Sequence, residues 1–175
     1  MIKKISATDR MEAAFFELIN EKHYSKIAVS ELIEKAGVSR TTFYRHYEDI
    51  FDMYEKVCTR LIEKFIFTAL VDALKFNPKY DDAFFNRLIS TLTAQQKYIL
   101  LLCGEHGDRR FFERVFEIAG KSLNFLNKTM RAEEVFKLKF VIYAGVGCYV
   151  DSVIREEELP VEVLDVSKEI LSISR

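Results

Sequence analysis

Residues 36–49 read AGVSRTTFYRHYED, and the rest of the chain is read outward from them. Gly37 suits the end of one short helix, and Ser39 suits the start of the next. The following two turns carry Arg40, Thr41, Thr42, Tyr44, Arg45 and His46, with no carboxylate among them. Phe43 and Tyr47, four residues apart, share one face and are expected to point inward. The other side chains then point outward, and almost all of them donate hydrogen bonds.

Upstream, residues 29–36 form a second short helix burying Leu32, Ile33 and Ala36. Before it, Ser6 and Asp9 give an S-x-x-D start signal. Met11, Ala14, Phe15, Leu18 and Ile19 then recur at helical spacing. That first helix is expected to end near EKHYSK, residues 21–26. Three short helices with a glycine turn before the third make a helix-turn-helix. In that motif the third helix enters a major groove, N-terminal end first. Arg40 is long enough to fork onto guanine O6 and N7, and Thr41 or Thr42 can offer a hydroxyl to phosphate or a methyl to thymine. Tyr44 can donate its phenol to a phosphate oxygen, and the helix N-terminus adds free amides.

The stretch VSELIEKAGVSRTTFYRHYEDIFDMYEKV, residues 29–57, resembles the DNA-binding domain of TetR-family (TetR/AcrR) transcriptional regulators. That family carries a Gly-Val-Ser turn and a recognition helix ending in Phe-Tyr-x-His-Phe. The resemblance implies an all-α protein with an N-terminal three-helix helix-turn-helix domain, residues 1–50. A C-terminal helical effector-binding and dimerisation domain, residues 51–175, would follow. It implies base or near-base contacts from Arg40, Thr41 and Thr42, a phosphate contact from Tyr44, and approach of Ser30 to the DNA backbone. Ser39, Arg45 and His46 complete the expected DNA-binding set, with capping or packing as the other role open to His46. The implied function is a homodimeric repressor of palindromic operators on double-stranded DNA, released by a small-molecule effector and needing no cofactor. Two positions depart from the family pattern. Ala28 stands where the family often has a threonine N-cap. Ile50 stands where a lysine usually touches phosphate, so one backbone contact is expected to be missing.

From Glu48 a long helix is expected, carrying Phe51, Tyr54, Cys58, Leu61, Ile62 and Phe65, with a break at Asn77-Pro78. Further helices are expected near 80–94, 96–104, 108–129 and 132–157, and near 161–173 after Pro160. Ala144, Gly145, Gly147 and Cys148 are small residues that let a neighbouring helix approach. By resemblance their helix is the family's penultimate one. With a last helix carrying Val163, Val166, Ile170 and Leu171, it would form the homodimer interface; packing within one subunit is the alternative. Phe84-Phe85 and Phe111-Phe112 are adjacent pairs, and one member of each is expected to lie off the core stripe. A small apolar or aromatic effector is expected to meet Tyr98, Phe112, Asn124 and Tyr143.

Composition narrows the classes. The chain has 175 residues, 49% of them hydrophobic, with two prolines and six glycines, which favours long helices over turn-rich sheets. Residues 1–47 hold eight Lys/Arg against six Asp/Glu, within a net charge of −1 overall. A basic head on an acidic body suits a nucleic-acid reader. Cys58, Cys103 and Cys148 show no metal or redox spacing and are expected to be reduced core thiols. His23, His46 and His106 are scattered, so no metal site is expected. There is no P-loop, GxGxxG or GxSxG pattern, which argues against an enzyme. The richest apolar run, YILLLC, falls well short of the ~18 residues of a membrane span. The N-terminus lacks the hydrophobic core of a signal peptide, so a cytoplasmic protein with no membrane partner is expected. The competing class is a helical interaction module that has lost DNA binding.

Overall fold

The S-x-x-D signal works as a reciprocal cap. Ser6 Oγ accepts from the Asp9 amide at 3.0 Å, and the Asp9 carboxylate accepts from the Ser6 amide at 3.2 Å. Helix α1 (Ala7–Ile19) follows and buries Met11, Ala14, Phe15, Leu18 and Ile19, the five residues of the expected face. The computed structural model describes residues 5–75, 82–108, 110–124, 130–155, 157–158 and 161–172, with side chains for all of these except 68–75, 161 and 164. After a 3-10 turn (Tyr24–Lys26) come α2 (Val29–Ala36), α3 (Arg40–His46), α4 (Ile50–Lys75), α5 (Asp82–Cys103), α6 (Phe111–Asn124), α7 (Ala132–Ile154) and α8 (Val161–Ser172). The fold is all-α, with no strand among the described residues. Asn77-Pro78 and Pro160 lie outside the described residues.

One helix, α5, stands where two were expected near 80–94 and 96–104. Ala94, Gln95 and Gln96 occupy the anticipated break, and all are good helix formers with no glycine or proline among them. One of the two phenylalanine pairs also departs from the expectation. Phe84 and Phe85 are both buried, edge to face with ring centroids 5.2 Å apart. Adjacent helical positions lie about 100° apart, so a helix covered on two sides can bury both. Phe111 is buried and Phe112 is half-buried.

The N-terminal helices and the body share one core, joined at α4. Tyr54 has no exposed surface. Its ring stacks on Tyr24 at 4.1 Å and meets Phe15 at 6.4 Å. Its hydroxyl donates to the Leu102 carbonyl (2.6 Å) and accepts from the Asp108 amide (3.0 Å). Burial raises the Tyr54 pKa, so the phenol stays a neutral donor. The Arg114 guanidinium lies 5.3 Å from the same ring and forks onto Glu55, Nε to Oε2 at 2.7 Å. The boundary expected at residue 50 therefore falls at the first residue of a helix that packs on both sides.

Two of the three cysteines are the buried thiols the sequence leads one to expect. Burial pushes Cys58 up to about 12 and Cys103 up to about 11, which leaves both poor nucleophiles. Cys148 departs from that expectation: it is exposed, because it sits on the face of α7 turned away from the core.

Helix α2 begins at Ala28, which makes no side-chain cap. Half of a capping box is nonetheless present. Lys22 and the Ala28 amide both hydrogen-bond the Glu31 carboxyl, and together they hold it below the usual carboxylate range. Ala28→Ser should complete the box and add about 1 kcal/mol of stability. Thermal unfolding should shift upward by about 2–4 °C; an unchanged or lower midpoint would contradict the argument.

Candidate nucleic-acid interface

Gly37 makes the turn before α3 possible. It adopts φ 60°, ψ 45°, the left-handed region that L side chains rarely enter. The Val38 amide closes back onto the Ile33 carbonyl at 3.1 Å. Ser39 then caps α3, its hydroxyl accepting from the Thr42 amide at 3.1 Å and lying 2.8 Å from the Thr42 hydroxyl. Phe43 is wholly buried and Tyr47 nearly so, as their spacing predicts. Ser30, Ser39, Arg40, Thr41, Tyr44, Arg45 and His46 are exposed, and Thr42 is half-buried. Tyr44 leaves 51% of its surface open, a large fraction for an aromatic ring.

The charges on this surface are unusual within the molecule. Arg60, Arg110, Arg114, Arg131 and Arg155 all form ion pairs. Arg40 and Arg45 have no partner among the described residues. Two of the acidic residues that follow α3, Asp49 and Asp52, are engaged at the start of α4. Asp49 accepts from the Asp52 amide, and Asp52 accepts from the Glu48 amide and from Lys56, each at 2.8 Å.

Three supports of α3 have no local signal in the sequence. Arg10 Nη1 donates to the carbonyls of Ala36 (3.2 Å) and Gly37 (2.9 Å), closing the end of α2 from α1. Lys56 Nζ donates to the His46 carbonyl (3.0 Å), closing the end of α3 from α4. The Tyr47 hydroxyl donates to Glu12 at 3.3 Å, and Arg60 bridges the two groups. Burial raises Glu12, while Arg60 and the Tyr47 hydroxyl pull the other way. A polar partner 26 or 35 residues away in sequence leaves no periodic trace.

Residues 12–57 match the family model described as bacterial regulatory proteins, tetR family. The chain carries a TetR-family DNA-binding domain. The matched segment runs from α1 to Val57 in α4 and so includes the whole helix-turn-helix. An uncharacterized HTH-type transcriptional regulator of Bacillus subtilis (strain 168), YxbF, is 28% identical over 117 residues, covering 64% of this chain and 30% of that protein. Another uncharacterized HTH-type transcriptional regulator, from Haemophilus influenzae, is 40% identical over 40 residues, covering 23% of this chain and 20% of that protein. The chain thus spans a third or less of the length of these curated relatives. No solved structure matches it.

Within this TetR-family frame Ile50, standing where a lysine usually touches phosphate, is 5% exposed and belongs to the core. Lys26 is exposed nearby in sequence, before α2, while Lys3 and Lys4 lie outside the described residues.

The four residues expected around an effector are each engaged within the protein. The Tyr98 ring lies 4.3 Å from Phe16, at the seam between α5 and α1. Phe112 meets Phe111 edge to face. Asn124 accepts from Lys139 at 2.7 Å, and the Tyr143 hydroxyl donates to the Phe116 carbonyl at 3.3 Å. A narrow apolar crevice lies between α4, α5, α6 and α7. Phe65, Leu92, Phe111, Val115 and Val146 line it, with Thr91 and Gln95 at its polar edge. No helix of the described residues is long and apolar enough to cross a membrane. Among them no three His, Cys, Asp or Glu side chains gather as a metal site.

Proposed function

We propose that the chain is a homodimeric transcription regulator that reads a palindromic operator with α3 and leaves DNA when a small apolar effector occupies the body. One observation carries the DNA-reading half. Arg40 and Arg45 stand exposed, with no partner among the described residues, on a carboxylate-free helix beside an exposed Tyr44, while five other arginines are ion-paired. In this reading Arg40, Thr41 and Thr42 meet base edges. Ser30, Ser39, Tyr44, Arg45 and His46 meet the backbone, and the amides at the start of α3 add a phosphate cradle. A palindrome needs two copies, their recognition helices about one DNA turn apart. Release follows if the effector binds more tightly to the conformation whose α3 helices are mis-spaced. The apolar lining of the crevice between α4 and α7 suits an uncharged, largely apolar molecule, which the helices would have to part to admit. A chain with this role works in the cytoplasm, without a cofactor and without catalysis.

The competing module that has lost DNA binding draws its support from Ile50, whose buried apolar side chain stands where a lysine would meet phosphate. The test is in vitro selection from random duplexes with the full chain. The expected result is enrichment of an inverted repeat with half-sites about 10 base pairs apart, centre to centre, or a multiple of that spacing. Uniform retention of all sequences, or none at physiological salt, would overturn the reading.

A further inference from the structure

Resting on the operator-reading proposal above, we infer that Arg10 and Lys56 are positioning residues of the reader: they fix the tilt of α3 from carbonyls at its two ends, and touch no DNA. By charge alone both would count as phosphate neutralisers. Each is exposed, and each reaches the helix-turn-helix from a flanking helix. Their donors are turned to the protein instead. Arg10 Nη1, from α1, donates to the carbonyls of Ala36 (3.2 Å) and Gly37 (2.9 Å), just before the Ser39 cap. Lys56 Nζ, from α4, donates at 3.0 Å to the carbonyl of His46, the last residue of α3. It also pairs with Asp52 at 2.8 Å and lies 5.7 Å from the centre of the Tyr47 ring.

The carbonyls they hold are the ones a helix leaves open. The last turn of an α-helix has carbonyls without partners and carries a partial negative charge, so a cation from a neighbouring helix fits there. Arg10 closes the end of α2 in this way, and Lys56 the end of α3. The same two flanking helices clamp the exit of α3 a second time. Glu12 on α1 accepts from the Tyr47 hydroxyl at 3.3 Å, and Arg60, about one turn beyond Lys56 on α4, reaches both groups. Helix α3 needs such fixing. It has seven residues, and the buried Phe43 and Tyr47 anchor it on one side. A two-turn helix held along one side can rock about that side, whereas binding groups have to be held within about 0.5 Å of their productive geometry. Packing keeps α3 folded; the two cations set where Arg40, Thr41 and Thr42 are aimed.

Titration of the full chain against two duplexes over a range of salt tests this. One is the inverted repeat enriched by the selection above, the other a scrambled duplex of the same composition. Arg10→Met should lower affinity for the inverted repeat by at least about 10-fold and leave affinity for the scrambled duplex within about 3-fold. Lys56→Met, made together with Asp52→Asn so that no unpaired carboxylate is left to repel DNA, should do the same relative to Asp52→Asn alone. Lys56→Arg should keep both affinities, because a guanidinium can still donate to the His46 carbonyl. On the scrambled duplex the slope of log K against log salt should not change in either methionine variant, whereas loss of a phosphate neutraliser flattens it by about 0.9 for each copy. Circular dichroism fixes a temperature well below unfolding. Loss of folded protein weakens binding to both duplexes alike, so the ratio between them reports positioning and not stability. If Arg10→Met fails to fold, the Lys56 variants decide. Equal weakening on both duplexes would overturn the inference, and a flattened slope would make the two residues phosphate neutralisers. Unchanged affinity for the inverted repeat would overturn it as well. All three outcomes keep the operator reading. A wild-type chain that does not distinguish the two duplexes would instead remove that reading, and this inference with it.

Discussion

Phe43→Ala should destabilise the protein by about 3–5 kcal/mol. Phe43 has no exposed surface, and its ring lies between Tyr44 (5.3 Å) and Tyr47 (5.6 Å). Removing the ring takes away its transfer free energy and leaves a cavity that a seven-residue helix, closed at both ends, has little freedom to collapse. The thermal midpoint should fall by roughly 6–20 °C. DNA binding should fail at lower temperatures still, because α3 is held chiefly by this ring and by Tyr47. Phe43→Leu should cost less than about 1.5 kcal/mol, since volume is nearly conserved. Urea titration of the two variants checks both values; a destabilisation below about 1 kcal/mol for the alanine variant would contradict the packing argument.

The second large effect falls on DNA. Arg40→Ala should weaken operator binding by about 1–3 kcal/mol per half-site and relax discrimination at one base position. Arg45→Ala and Tyr44→Phe should weaken binding to all sequences alike. Taking one phosphate neutraliser away should flatten the plot of log K against log salt by about 0.9, and a dimer carries each of them twice. The contrast is what matters. An arginine reading a base changes the rank order of sequences, whereas one neutralising a phosphate changes the salt slope. Equal weakening across all sequences for Arg40→Ala would remove its base-reading role and leave it a phosphate neutraliser. Stability should barely move in any of the three variants, because all three side chains are exposed and neither arginine has a partner to lose among the described residues.

How far the sequence alone can be read depends on the range of the interaction involved. The caps at Ser6, Gly37 and Ser39, and the inward pair Phe43 and Tyr47, are local, and local rules locate them. The single helix α5 escapes those rules because nothing at residues 94–96 forbids continuation; the polar pair Gln95-Gln96 looks like a boundary and is merely the more polar side of a helix. The buried Phe84-Phe85 pair escapes them because a single-stripe picture fails for a helix covered on two sides. The burial of Ile50 escapes them for another reason: carrying a family position over one residue at a time transfers a residue type, while burial depends on what the whole neighbourhood packs. Arg10, Lys56 and Arg60 leave no signal, since each reaches a carbonyl or carboxylate far along the chain.

The burial of Tyr54 limits how the molecule can be cut. One ring fills the space under α1, and its hydroxyl ties down the Leu102 carbonyl and the Asp108 amide in the body. A fragment ending at residue 50 would keep every side chain proposed to meet DNA yet lack Met53, Tyr54 and Val57, all buried in the shared core. A chimaera that grafts this reader onto another regulator therefore has to carry α4 at least through Val57. It must also find, in its new host, a surface shaped to receive the face that Tyr54 presents.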